Sequence, residues 1–196
     1  MKKMLAILLT IATLCVMGGW ANPKTNSDEG EYSLIKYLET HEVDSYAEFQ
    51  EVIRSVSPES VDDIDPDSVT DFSIDIDYDN RVVSVTTIGE SIITSTDTSN
   101  TASQSYYNDL SIKIFTISVT GKFRYSTGSC TTLTASGSFS KPFYSTWTST
   151  PTISSGNLSP SVAYARISGT ATSGSSSISY SLRLTCNDSG QFGTTT

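Results

Sequence analysis

Apolar positions in this chain follow a helical period in the front part and a strand period behind it. From Ser45 the apolar residues Tyr46, Phe49, Val52, Ile53 and Val56 recur at helical spacing, and Ser45 with Glu48 three residues on forms a capping-box signal. The spacing predicts a helix that ends before Pro58. A shorter helix is expected over residues 32–39, where Leu34, Ile35 and Leu38 share a face. Residues 58–68, with Pro58, Pro66 and a string of acids, read as a connector. Beyond it the period falls to two: Phe72, Ile74, Ile76 and Tyr78 alternate with Ser73, Asp75, Asp77 and Asp79, and a second run around Val83 and Val85 follows. Asp79 and Asn80 between the runs predict a tight hairpin turn, because both residue types tolerate positive φ.

The alternation is strongest from residue 112 onward. Phe115, Ile117, Val119, Gly121, Phe123 and Tyr125 fall on one face of a long strand, and Thr116, Ser118, Thr120, Lys122 and Arg124 on the other. Further strands are expected at 132–140, 162–170 and 178–186, separated by turn-rich stretches at 126–129, 154–161 and 173–177. Strands with one wet face must bury the other on a second layer. The pattern therefore predicts a mainly β protein, an antiparallel sandwich or barrel-like domain over 71–192, preceded by a short acidic helical segment and connector over 22–70. Whether that segment packs on the sheet or serves as a propeptide stays open. Fraying is expected at 22–30 and 191–196, with 193–196 as a tail.

The first residues change the compartment. Lys2 and Lys3, an apolar run over 4–17, and small residues at Gly19 and Ala21 read as a secretory leader cut before Asn22. The run is short for a bilayer span, which needs about 20 residues. Cys15 stands where a lipoprotein acceptor would, but Leu14 precedes it and more apolar sequence follows, so cleavage and release are expected. The mature chain is expected to be extracellular, with no stable membrane insertion.

Charge is placed unevenly. Of the 21 acidic residues all but Asp109 and Asp188 lie at or before Asn100, while the rear half is rich in Ser and Thr and weakly basic. A net charge of −9 and scattered basic residues argue against nucleic acid, whose non-specific affinity comes from neutralising phosphates.

Candidate chemistry is sparse. Cys130 and Cys186 remain after the leader, and an even count in an exported chain predicts a disulfide closing a loop of about 55 residues; the alternative is two buried thiols. Asp75, Asp77 and Asp79 have the first spacings of a calcium loop, but Thr86 stands where the bidentate Glu belongs, so they offer at most a weak calcium site, with a solvated acidic face as the plainer reading. His41 is the only histidine, so neither a typical zinc site nor a Ser-His-Asp triad is supported. No cofactor is expected. Front-region carboxylates could supply the pair that glycoside hydrolysis needs. Trp147, Tyr144, Tyr106 and Tyr107 are the aromatic candidates for a sugar platform or partner anchor, Trp147 being the one most expected at the surface, against core packing as the alternative.

Residues 105–186, including Ser105-Tyr106-Tyr107-Asn108, Lys141-Pro142-Phe143-Tyr144-Ser145-Thr146-Trp147 and Ala163-Tyr164-Ala165-Arg166-Ile167-Ser168-Gly169-Thr170, resemble a family of small, uncharacterised secreted proteins of Gram-positive bacteria. The resemblance implies export and a β domain and brings no catalytic or binding residue. The functional expectation is a secreted, non-catalytic binding or interaction module at the bacterial surface, with a cell-wall glycan or a surface protein as partner. The alternatives are a cell-wall or glycan hydrolase using front-region carboxylates and a secreted inhibitor or immunity-type protein.

Overall fold

The computed structural model describes residues 33–94 and 96–196. The leader, the cleavage point after Ala21, Cys15 and the first residues of the acidic segment lie outside the described residues.

Two helices open the described chain. Helix α1 (Leu34–Thr40) is capped by Ser33, whose Oγ accepts from the Lys36 N–H at 3.2 Å. Helix α2 (Tyr46–Val56) is capped by Ser45, which accepts from the Glu48 N–H. The Glu48 carboxylate reaches back to the Asp44 N–H, one residue further than the box pattern requires, so Ser45 satisfies one orphan donor of the first turn and Glu48 holds the residue before the cap. Tyr46, Phe49, Val52 and Ile53 are buried, whereas Val56, in phase with them by sequence, runs off the packed end and is exposed. The connector carries two turns of 3-10 helix, Pro58–Ser60 and Pro66–Ser68.

Ten strands follow: β1 (Val69–Asp77), β2 (Val82–Gly89), β3 (Ile92–Thr94), β4 (Asp97–Asn108), β5 (Lys113–Ser126), β6 (Ser129–Ser140), β7 (Thr152–Ser159), β8 (Val162–Ser173), β9 (Ser176–Asn187) and β10 (Phe192–Thr195). The first six form one antiparallel sheet ordered β1-β2-β4-β5-β6, with β3 beside the start of β4; the last four form a second, ordered β10-β9-β8-β7. Each sheet is thus built from consecutive strands joined by short turns. Residues 193–196, expected as a tail, mostly belong to β10, where the Gly193 carbonyl accepts from Thr185 Oγ1 at 3.1 Å. In the β1–β2 turn the positive φ falls on Arg81 (51°), not on Asp79 or Asn80. The pairing of Asp77 with Val82 makes this a four-residue connection, and Asp77 holds it by accepting from the Asn80 N–H and Nδ2 at 3.0 and 2.7 Å.

Two apolar layers result. Between the sheets, Phe115, Ile117, Val119 and Phe123 of β5 meet Ala163, Ala165 and Ile167 of β8 and Leu182 and Leu184 of β9, all fully buried. The small alanines of β8 leave room for the rings of β5, whose Phe115 stacks on Tyr106 at 4.3 Å and on Phe139 at 5.2 Å. Behind the first sheet, Leu34, Ile35, Phe49 and Ile53 of the helices cover Val83, Val85 and Tyr107. The acidic helical segment therefore packs on the sheet. Strand β2 is consequently buried on both faces, Val82 toward the second sheet and Val83 and Val85 toward the helices.

The expected Cys130–Cys186 bridge is not formed: both are free, buried thiols in the core between the sheets. They stand close enough to interact. Burial first, and then the neighbouring Cys130, push the Cys186 thiol up to about 12. Thiolate, the species that forms and exchanges disulfides, is scarce under those conditions.

Candidate functional site

The two sheets close on each other along one side and part on the other. At the closed side, Thr132 Oγ1 of β6 donates to the Tyr164 carbonyl at 2.9 Å, and Asn157 Nδ2 of β7 donates to the Cys130 carbonyl at 2.7 Å. The Cys130 N–H donates to the Pro160 carbonyl at 3.0 Å. At the opposite side a cleft of about 520 Å³ lies between the inner face of β1, β2 and β4 and the free flank of β9.

Strand register builds the floor of this cleft. Asp75 pairs with Ser84, Ser84 with Tyr106, and Tyr106 with Phe115, so one row crosses the sheet from a carboxylate at its edge to an aromatic core at its centre. Gln104 lies beside this row; it accepts from Tyr106 Oη at 2.8 Å and donates to Ser84 Oγ at 3.3 Å. Asp77, one pleat from Asp75, completes the acidic rim. The facing wall is the β9 segment from Ile178 to Ser181, with Arg166 at its lip donating through Nε to Ser181 Oγ at 3.0 Å. Burial first, then Tyr180 and Asp75 nearby, raise the Tyr106 phenol well above its ordinary range, so it is a neutral hydrogen-bonding group. Hydrogen bonds from Asn80 hold the Asp77 carboxyl below the usual carboxylate range.

No protein-family model, curated protein or solved structure matches the chain. The geometry of the cleft is accordingly what the functional reading rests on.

The structure brings Asp75, Asp77 and Tyr106 into the cleft. Asp79 lies beyond them in the turn, and among the described residues no three carboxylate, His or Cys side chains gather where they could hold a metal ion. The expected weak calcium site at Asp75, Asp77 and Asp79 is therefore not assembled. A period of two puts only alternate carboxylates on one face, the chain then leaves the strand, and Asp77 is tied to Asn80.

The aromatic platform is not assembled either. Tyr107 is fully buried beneath α2, edge-on to Phe49 at 5.4 Å, with its hydroxyl donating to Asp62 at 2.6 Å. Tyr144 is half-buried with its hydroxyl 3.2 Å from Ser60 Oγ. Trp147, expected at the surface, is half-buried against Phe115 at 5.7 Å, because its segment is pinned back by Ser145 Oγ donating to the Ile114 carbonyl and by the Thr148–Thr172 bridge. The ring that projects is Phe143, 99% exposed. His41 ends α1, stacked on Tyr37 at 4.2 Å.

Ser84, Gln104, Arg166 and the backbone of Ser179 and Ser181 escape the sequence reading. Their signal is weak: Gln104 is a polar side chain in phase with Ala102 and Tyr106 of β4, and Ser84 sits in the polar phase of β2, whose other phase, Val83 and Val85, reads as the core face. The core of those residues is the helix layer, which leaves the polar phase facing the second sheet.

Proposed function

We propose that this chain is an exported, non-catalytic binding module of the bacterial surface that takes its ligand in the cleft between β1, β2 and β4 and the flank of β9. The observation that carries the reading is the inner row Asp75, Ser84, Tyr106, a polar stretch of the face between the sheets that stays open instead of being covered by the second sheet. Buried polar groups cost free energy unless they are partnered, so a polar stretch of inner face kept open to water is suited to exchanging that water for a ligand.

The same site holds two of the front-region carboxylates that a glycan hydrolase would need, Asp75 and Asp77, and Asp77 is held by two hydrogen bonds from Asn80. A general acid needs a raised pKa, whereas Asp77 is lowered. The buried Asp62 spends its oxygens on Tyr46, Tyr107, Ser105 and Lys113 and keeps none for a substrate.

The test measures retention of the purified protein on Gram-positive cell walls and their surface proteins, together with any released fragments. Retention that Ser84→Arg abolishes, with no fragment released, supports the reading. Retention unchanged by Ser84→Arg, or fragment release lost in Asp75→Asn, overturns it.

A further inference from the structure

The flank of β9 that walls the cleft is an unfinished sheet edge. Strand β10 pairs with β9 only from Arg183 to Cys186, whereas β8 pairs with β9 along its whole length, from Ser176 to Asn187. The Asn187 N–H donates to the Gln191 carbonyl at 3.0 Å, toward the β10 side. In an antiparallel strand alternate residues turn both backbone groups to the same side. The N–H and C=O of Ser177, Ser179 and Ser181 therefore also point away from β8, past the end of β10, and no strand among the described residues pairs with them.

A strand laid there would continue the line of β10, and pleat alternation fixes where its side chains go. Residues opposite Ser177, Ser179 and Ser181 would take the backbone hydrogen bonds and face outward. Residues opposite Ile178 and Tyr180 would point inward, across the cleft, to the floor where Asp75 and Asp77 lie. Arg166, the cationic residue lining the cleft, is drawn to the outer face by Ser181 Oγ, so the inner floor is acidic.

Resting on the cleft as the ligand site, we propose that the ligand is an extended peptide of another protein, carrying Lys or Arg at alternate positions, which adds to the second sheet as a strand along residues 177–181 of β9. Main-chain hydrogen bonds supply affinity that any sequence can use, and the two carboxylates select the basic side chains. A natural edge strand left open is ordinarily blunted by charge or proline, and 176–181 carries neither.

The test uses a fluorescent Lys-Thr-Lys-Thr-Lys-Thr hexapeptide and anisotropy. Binding is expected to weaken about tenfold or more when Glu replaces Lys, in Asp75→Lys, and when the Thr amides are N-methylated, while N-methylation of the Lys amides, which face away from β9, leaves it unchanged. Ser179→Pro is a second variant: it removes the backbone donor that points into the cleft, together with the exposed Ser179 Oγ–Thr170 Oγ1 contact at 3.4 Å, at a position where a strand tolerates proline, and circular dichroism checks that the sheet persists. Equal affinity for both N-methylated peptides, or for the Glu peptide, overturns the proposal. So does a monomer–dimer equilibrium abolished by Ser179→Pro, which would assign the edge to a second copy of this chain. If no peptide binds but wall retention is still lost in Ser84→Arg, strand addition falls and the cleft reading stands; if Ser84→Arg changes no binding of any kind, the cleft reading itself falls.

Discussion

One carboxylate, Asp62, ties three parts of the chain together. It accepts from Tyr46 of α2 at 3.0 Å, from Tyr107 and Ser105 of β4 at 2.6 and 3.0 Å, and from Lys113 of β5 at 2.9 Å, while 5% of its side chain is exposed. Because removing one member of a buried ionic network leaves the others desolvated and unpaired, Asp62→Ala is expected to destabilise the fold by about 3 to 5 kcal/mol, read from urea unfolding. A loss below about 1 kcal/mol would mean that water reaches Lys113 and the three hydroxyls. Asp109 plays a related part for α1, accepting from Ser33 Oγ at 2.7 Å and the Ile35 N–H at 3.0 Å and pairing with Arg81. Burial alone would raise its pKa; the bonds from Ser33, Ile35 and Arg81 outweigh that and lower it. A depressed folded-state pKa means that the unfolded chain binds the proton more readily. The contribution is therefore complete above the ordinary carboxylate value of about 4 and is lost as pH falls through that value and the lower folded one. Asp109→Asn should flatten the acid limb of the stability curve, and an unchanged limb would contradict this. The buried thiols should resist iodoacetamide at neutral pH and both react in denaturant, since the Cys186 thiol is pushed up to about 12. Failure to alkylate in denaturant without reductant would reveal a bridge.

At the scale of elements, the helices are part of the fold. Phe49 is fully buried, edge-on to Tyr107. Phe49→Ala is expected to cost about 3 to 5 kcal/mol, and a protease cut that releases α1 and α2 while the sheets stay folded would contradict the packing. Element type was legible in the sequence because period and caps are local: Ser45 and Glu48 mark the start of α2, and the alternation of Phe115, Ile117 and Val119 marks β5. What each face meets was not legible. Phe72, Ile74 and Ile76 declare one apolar face of β1, and the same pattern would arise whether that face met helices or a second sheet. It meets the helices, which turns Asp75 and Asp77 inward and makes a cleft of what read as a solvated acidic edge. The role of Asp62 is illegible in the sequence for the same reason: in a string of acids, only tertiary packing distinguishes the one that is buried. Of the aromatic candidates Tyr106 lies in the cleft, whereas Trp147 looks exposed in a Ser/Thr run until Ser145 and Thr148 pin that run to its neighbours.

For the whole molecule, the decisive feature is asymmetry. The sandwich is sewn shut along β6 and β7 and stands open along β1 and β9, and the open side has an acidic floor and an unpaired strand edge. Among the described residues no helix is long and apolar enough to cross a membrane. Amide hydrogen exchange, followed residue by residue by NMR with and without the Lys-Thr hexapeptide, tests the account most directly. It predicts that the amides of Ser177, Ser179 and Ser181 exchange fast in the free protein, while those of Ile178 and Tyr180, bonded to β8, exchange slowly, and that the peptide protects the three serines. Slow exchange at these serines in the free protein, or protection by the peptide confined to residues outside the cleft, would contradict it.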